Sequence, residues 1–361
     1  MFTTFEKGNQ IKAVIKYQAG SGNIRLQDIE DPVCEFDQVK IKVMAASICS
    51  SDIMYWLSDN ELAYSRMDLP IVLGHEGSGI VESVGKGVKH VKPGDRVVAE
   101  TTQEVCFECD SCLKGEYNNC KKRKGLGSSA NGFFAEYVLA SERSVHKIPE
   151  NLSFEEAALL EPLTCAVHAL LDMVEIRPMH HVLVSGPGPI GLFSAQLAKL
   201  SGATVILAGT SHSMPRLHLA KDKLQIPYII NSSEEDVITK IMSITNKQGV
   251  DFAIDCSGNS TSIQTCIESL KSRGHYICLG VLHSNSDEIS LHYNDVFVTR
   301  ELNLIGARST TPISWGKSLK LAEEGKIHFA ELISNRLPLS EWEKGFTLVK
   351  NKNAIKVVLF P

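Results

Sequence analysis

The sequence predicts two domains of different kinds, a β-rich, barrel-like domain followed by an α/β domain with a doubly wound parallel sheet. Three observations carry this. The chain has 361 residues, long for one core and comfortable for two. Residues 11 to 48 alternate as strands do, and "GSGIVESVGKGVKHVKPGDRVVAE" is dense in Gly, Val and turn residues. After residue 160, apolar strands alternate with helical stretches, a rhythm that implies parallel pairing.

Taken in order, "QVKIKVMAAS" places Val39, Ile41 and Val43 on one face of a strand. "HHVLVSGPGPIGLFSAQLAKLSG" reads as an apolar strand, a Gly-rich turn and a helix. "ATVILAGTS", "GVDFAIDCSG" and "GHYICLGVL" supply three further strands. From about residue 305 the texture is mixed again, and it ends in the strand-like "AIKVVLFP". No internal repeat or low-complexity segment breaks this pattern.

Composition narrows the function classes. Hydrophobic residues make up 43% and charged residues 22%, with a net charge of −5, ordinary for a globular protein. The run Lys121-Lys122-Arg123-Lys124 reads as a solvated loop, so no nucleic-acid partner is expected. No apolar run reaches the ~18 residues of a membrane helix, and "MFTTFEKGNQIKAV" lacks the order of a signal peptide. A cytoplasmic protein without a membrane partner is the expectation. Ten cysteines would then stay reduced, and Cys34, Cys165, Cys256, Cys266 and Cys278 read as core or surface thiols.

"GPGPIG" sets Gly186, Gly188 and Gly191 in the spacing of a dinucleotide-binding turn, with Pro189 and Ile190 between them. The motif follows an apolar strand and opens a helix, the context that gives it meaning. Glycines allow a tight turn and close approach of a pyrophosphate to the helix N-terminus. The next strand ends in Gly209-Thr210-Ser211-His212-Ser213, with Arg216 beyond and no acid to take ribose hydroxyls. Small hydroxyls and a cation suit a 2′-phosphate, which tilts the coenzyme towards NADP, with NAD the alternative.

"CFECDSCLKGEYNNC" places Cys106, Cys109, Cys112 and Cys120 within one short stretch. Four thiolates saturate tetrahedral zinc, so this site should be structural; a redox pair is the lesser alternative. Chemistry needs an open metal position. The candidates are scattered: Cys49 in "CSSD", His75 and Glu76 in "GHEGSG", and Glu161 in "LEPLTCAVHA". A lone cysteine is usually a small buried hydrophobe. A carboxylate beside Leu159-Leu160, however, wants a partner.

The combination of "CSSDIMYW", "GHEGSGIVESVGKGV", the four-cysteine lobe, "EPLTCAVHA" and "GPGPIG" resembles the zinc-dependent medium-chain dehydrogenase family. It is most similar to the polyol (sorbitol/L-iditol) dehydrogenase branch, marked by Glu161 before Pro162-Leu163 and by Tyr55-Trp56. The resemblance implies a GroES-like catalytic domain over residues 1–165, completed by 305–361, and a Rossmann domain over 166–304, with the active site in the cleft between them. It implies Cys49, His75 and Glu161 as catalytic zinc ligands, Glu76 beside the metal, Asp52 orienting His75, and Ser51 starting a proton relay. Met54 stands where the family often has a relay histidine, which puts the rest of that relay in question. By the same resemblance Ser257, Gly258, Leu279, Gly280 and Gly306 to Arg308 would face the coenzyme. Tyr55, Arg300 and Glu301 are candidates for substrate hydroxyls, the last two equally a surface ion pair.

The expected activity is hydride transfer between a secondary alcohol of a polyol or sugar-derived substrate and NAD(P). The alternatives are a dehydrogenase of another small alcohol, diol or amino alcohol, and a non-catalytic nucleotide-binding scaffold. The family commonly forms dimers or tetramers, so a homodimer or homotetramer is expected.

Overall fold

The computed structural model describes residues 9–58, 67–281 and 288–361. The chain divides into two compact units, the first drawn from the described residues of Met1–Glu161, Thr310–Glu323 and Leu332–Pro361, the second from those of Pro162–Ser309 and Glu324–Glu331.

The first unit is built on a mainly antiparallel sheet whose central strand is Gln38–Ser47. The β-branched residues that alternate along it, Val39, Ile41 and Val43, are buried against Val81, Val97, Phe133, Phe134, Phe346 and Leu359. Gln38–Ser47 pairs with Glu76–Val84 on one side and with Lys356–Phe360 on the other. Its register sets Ser47 opposite both Glu76 and Val358, so residues far apart in sequence meet at one strand end. A smaller sheet joins Ile24–Glu30, Gln10–Lys16 and Ile71–Val72. The segment 106–120 projects from a short pair, Thr102–Glu104 with Lys124–Gly125.

The second unit is a parallel sheet in the order Tyr228–Asn231, Thr204–Gly209, His181–Ser185, Val250–Asp255, Leu270–Cys278, Asn303–Gly306. The order reverses beside His181–Ser185, the place where open α/β sheets bind ligands at their carboxyl ends. Continuous apolar runs such as Val182–Val184 and Val205–Leu207 are wholly buried, as strands covered on both faces must be. Helix starts are marked locally. Asp236 accepts from Thr239 N at 2.7 Å and Asn259 from Ser262 N at 3.3 Å, each satisfying an amide that the helix leaves open. Together the units give the mixed α/β class that the sequence predicts, a β-rich unit and a doubly wound parallel sheet. No helix among the described residues is long and apolar enough to cross a membrane.

Candidate metal and nucleotide sites

Cys49 leaves the central strand and caps the helix Ser50–Leu57. Its backbone N–H donates to Asp52 Oδ2 at 2.8 Å, which fixes the strand-to-helix corner. Asp52 is fully buried, and its other oxygen lies 3.8 Å from His75 Nδ1. His75 and Glu76 stand at the start of Glu76–Val84, brought beside Cys49 by the Ser47–Glu76 register. The glycines around them make room for aromatic rings. A Cβ on Gly77 would lie 2.3 Å from the Phe133 ring, and one on Gly74 (φ +89°) 2.5 Å from Phe134.

One ligand atom from each of Cys49, His75 and Glu76 lies within 4.8 Å of the others. Glu161 is outside that set. It begins the helix Leu160–Val167, is buried, and its Oε1 accepts from Thr101 Oγ1 at 2.9 Å. Burial raises the Glu161 pKa, against the pull of His75. Burial likewise lifts Asp52 to about 6, offset in part by His75. For His75 burial opposes the charge, yet Cys49, Asp52 and Glu161 outweigh it and hold the imidazole well above its usual pKa. The centre is therefore strongly electronegative. Glu76 Oε1 is buried and has no hydrogen-bond partner among the described residues. A cysteine sulfur, an imidazole and a carboxylate that keeps one buried oxygen unsatisfied form a donor set that fits zinc.

The four cysteines of 106–120 form the second cluster, again with sulfurs within 4.8 Å of one another. Cys106 Sγ lies 3.8 Å from Cys112 Sγ and 3.6 Å from Cys120 Sγ. Backbone N–H groups of Glu108 and Cys109 bring the Cys106 thiol down to about 6, so a thiolate is ready for a metal. None of the ten cysteines is in a disulfide. Four sulfurs leave a tetrahedral ion no open position, so this set fits a structural ion.

In the second unit Gly186 (φ +99°) turns the chain after His181–Ser185. A Cβ on Gly191 would fall 2.0 Å from the Gly186 carbonyl, whereas one on Gly188 would meet nothing within 4 Å. Gly188 caps the helix Pro189–Leu200, whose first residues include Ile190. The turn is closed where helix and strand pack and open where a pyrophosphate would approach. Asp255, fully buried, accepts from Ser257 N, Ser257 Oγ and Gly258 N through its carboxylate, and its carbonyl accepts from Leu279 N and Gly280 N. One residue thus sets Ser257 and Gly280 at the same end of the sheet. Thr210 and Ser211 follow Thr204–Gly209, Arg216 lies one turn into Met214–Asp222, and Arg308 is exposed after Asn303–Gly306.

Two sequence readings gain partners that the local pattern does not name. Arg300 and Glu301 were candidates for substrate hydroxyls. Arg300 instead donates to Asp295, to Ile267 O at 3.0 Å and to Leu270 O at 3.2 Å, closing the end of Ser260–Ser269, while Glu301 pairs with Arg273 at the surface. The loop after Thr204–Gly209 carries no acid of its own, but Glu234, from beyond the next strand, sets Oε1 3.4 Å from Ser211 Oγ. Sequence reasoning also missed Asp255, Thr101, Ser47 and Lys356. A lysine inside the apolar "AIKVVLFP" was a usable signal, since a buried charge demands a partner.

Residues 35–150 match the alcohol dehydrogenase GroES-like domain, and residues 189–324 the zinc-binding dehydrogenase family. A sorbitol dehydrogenase from Halalkalibacterium halodurans is 37% identical over 97% of this chain and 99% of that protein. The chain belongs to the zinc-dependent medium-chain dehydrogenases, in their polyol branch. A D-arabitol-phosphate dehydrogenase from Enterococcus avium is 38% identical over 97% of each chain. Among solved structures, a zinc-binding dehydrogenase from Sinorhizobium meliloti 1021 bound to NADP superposes with a TM-score of 0.88, at 28% identity, over 98% of this chain and 100% of that one. As a member of this family the chain is an oxidoreductase of alcohols that works with zinc and a nicotinamide coenzyme.

Proposed function

We propose that the chain oxidises a secondary alcohol of a polyol or sugar-derived substrate to the ketone, reversibly, with Cys49, His75 and Glu161 holding the catalytic zinc and Glu76 beside it. The observation that carries this reading is the convergence of ligand atoms from Cys49, His75 and Glu76 within 4.8 Å of one another, with Glu161 in electrostatic reach of His75. When bound, zinc lowers the pKa of a substrate hydroxyl and offsets charge developing on its oxygen. When bound, a nicotinamide coenzyme would supply the acceptor for the hydride of the carbinol carbon.

The residues supply placement and a path for the proton. Asp52 fixes Cys49 through its N–H and sets a carboxylate oxygen 3.8 Å from His75 Nδ1, an electrostatic contact that favours one orientation of the imidazole. Ser51 Oγ, on the turn after Cys49, would accept the hydroxyl proton and pass its own on as the C–O bond becomes double. Met54 carries no proton, so the one Ser51 releases would leave through water or a coenzyme hydroxyl.

Gly186 to Gly191 would cradle the coenzyme, with Ser257, Leu279, Gly280 and Arg308 facing it. We assign NADP as the better coenzyme, on the support of Thr210, Ser211 and Arg216, with Glu234 the group that works against it. Cys106, Cys109, Cys112 and Cys120 hold a structural zinc. The edge strand Asn303–Gly306, beside exposed Phe297, Val298 and Leu304, supports assembly into a homo-oligomer. Ten unbridged thiols support a cytoplasmic setting.

The test is absorbance of reduced nicotinamide with NAD and NADP in parallel, against polyols, polyol phosphates, sugar acids and simple alcohols. A signal confined to polyol-like substrates supports the reading. A simple alcohol or an amino alcohol outpacing every polyol sinks it.

A further inference from the structure

The two carboxylate oxygens of Glu76 have different surroundings. Oε2 accepts from the Ser47 hydroxyl and from the Lys356 ammonium. Oε1 is buried without a hydrogen-bond partner among the described residues. Lys356 comes from the last strand, 280 residues along the chain from Glu76. Its ammonium also donates to the carbonyl of Ile48, the residue before Cys49, at 3.2 Å. Both partners are enclosed, Lys356 at 2% exposure and Glu76 at 1%. A buried ion pair seldom stabilises a fold more than an apolar pair of the same size, so stability alone does not account for this one.

We propose that Lys356 is a positioning residue for the metal centre: by engaging Oε2 of Glu76 it keeps that carboxylate beside the zinc, with Oε1 its one free oxygen, rather than gripping the ion, so that the fourth position stays open to the substrate hydroxyl. The inference rests on the zinc reading above. A carboxylate with both oxygens free can grip a cation with two atoms. One that shares its charge with an ammonium and a hydroxyl offers a single, weaker donor. Strand register supplies Ser47, and the pairing of Lys356–Phe360 with Gln38–Ser47 brings Lys356 to the same oxygen. Lys356 therefore ties the Cys49 and Glu76 segments to each other through two bonds that make no demand on the metal side of the site.

The experiment follows zinc release from the holoenzyme to a chromophoric chelator. The phase belonging to this site is the one missing in Cys49→Ala. Lys356→Met should slow that phase roughly ten-fold, the scale on which outer partners change metal affinity. Lys356→Arg should release zinc at the wild-type rate, and Lys356→Met should have no further effect on a Glu76→Gln background. Ser47→Ala, a smaller change that removes the other donor to Oε2, should slow release in the same direction, and it decides the matter if Lys356→Met does not fold. Unchanged or faster release in these variants, or equal slowing on the Glu76→Gln background, overturns the proposal. A wild-type protein with no such phase overturns the zinc reading and this inference together.

Discussion

Asp52 reaches His75 and Cys49 at once: Oδ1 lies 3.8 Å from the imidazole Nδ1, and Oδ2 accepts the Cys49 N–H at 2.8 Å. A single buried carboxylate thus hydrogen-bonds one proposed metal ligand and faces a second, 26 positions along in "CSSD…GH". Asp52→Asn keeps an acceptor for the Cys49 N–H but removes the charge beside His75. Zinc at this centre should weaken by about 10–100-fold, measured by chelator competition, while the four-cysteine zinc stays in place.

Metal stoichiometry separates the two clusters. Cys49→Ala should lose one zinc per chain and turnover with it, at nearly unchanged thermal stability. Cys106→Ser should lose the other zinc and lower the melting temperature, while folded protein keeps its turnover per active site. Metal analysis alongside calorimetry checks both. Full activity in Cys49→Ala would remove it from the catalytic set.

Two glycines in the nucleotide turn should fail in different ways. Gly191→Ala puts a Cβ 2.0 Å from the Gly186 carbonyl, so the fold itself should be destabilised. Gly188→Ala meets nothing in the protein, and stability should change by no more than about 0.5 kcal/mol. Its methyl would project towards the pyrophosphate, so coenzyme Kd should rise about ten-fold, roughly 1.4 kcal/mol. Fluorescence titration with reduced coenzyme, next to thermal melts, reads both effects.

Glu234 places a carboxylate beside Ser211, where a 2′-phosphate would lie. Glu234→Gln should raise kcat/KM for NADP several-fold while leaving NAD little changed. A shift confined to NAD would place the adenosine ribose elsewhere.

Acid stability should carry the mark of His275. Burial, followed by the nearby His180, lowers its pKa below the usual value, and its Nδ1 has no hydrogen-bond partner among the described residues. The folded protein therefore binds this proton less readily than the unfolded chain. Its stability contribution is complete above pH about 6.5 and falls as pH drops through the lowered pKa. Melting temperature against pH should decline less steeply below pH 6.5 for His275→Gln than for the native protein.

The readable parts of this molecule were those whose chemistry closes over a few residues. "GPGPIG" could be understood from its flanking strand and helix, because the turn, the helix dipole and the strand–helix packing are all local. The four cysteines lie within 15 residues, and chain length alone keeps their sulfurs near one another. The catalytic ligands were different. Cys49, His75 and Glu161 were singled out together by family resemblance, since no local rule joins three isolated residues spread over 113 positions.

Local pattern specifies the kind of parts: a β-rich unit, a parallel sheet with a nucleotide turn, and a four-cysteine lobe. Periodicity, glycine spacing and cysteine spacing are short-range properties, and short-range sterics and hydrogen bonding read them out directly. Tertiary structure alone decided which side chains share a charge. Strand register set Ser47 against Glu76, the final strand delivered Lys356 to the same carboxylate, and a neighbouring strand brought Glu234 to Ser211. It also withdrew Arg300 into the end of a helix, where it binds backbone carbonyls. These pairings depend on packing across the whole sheet, where the cost of an unpartnered buried charge selects one register among many that the local pattern would allow.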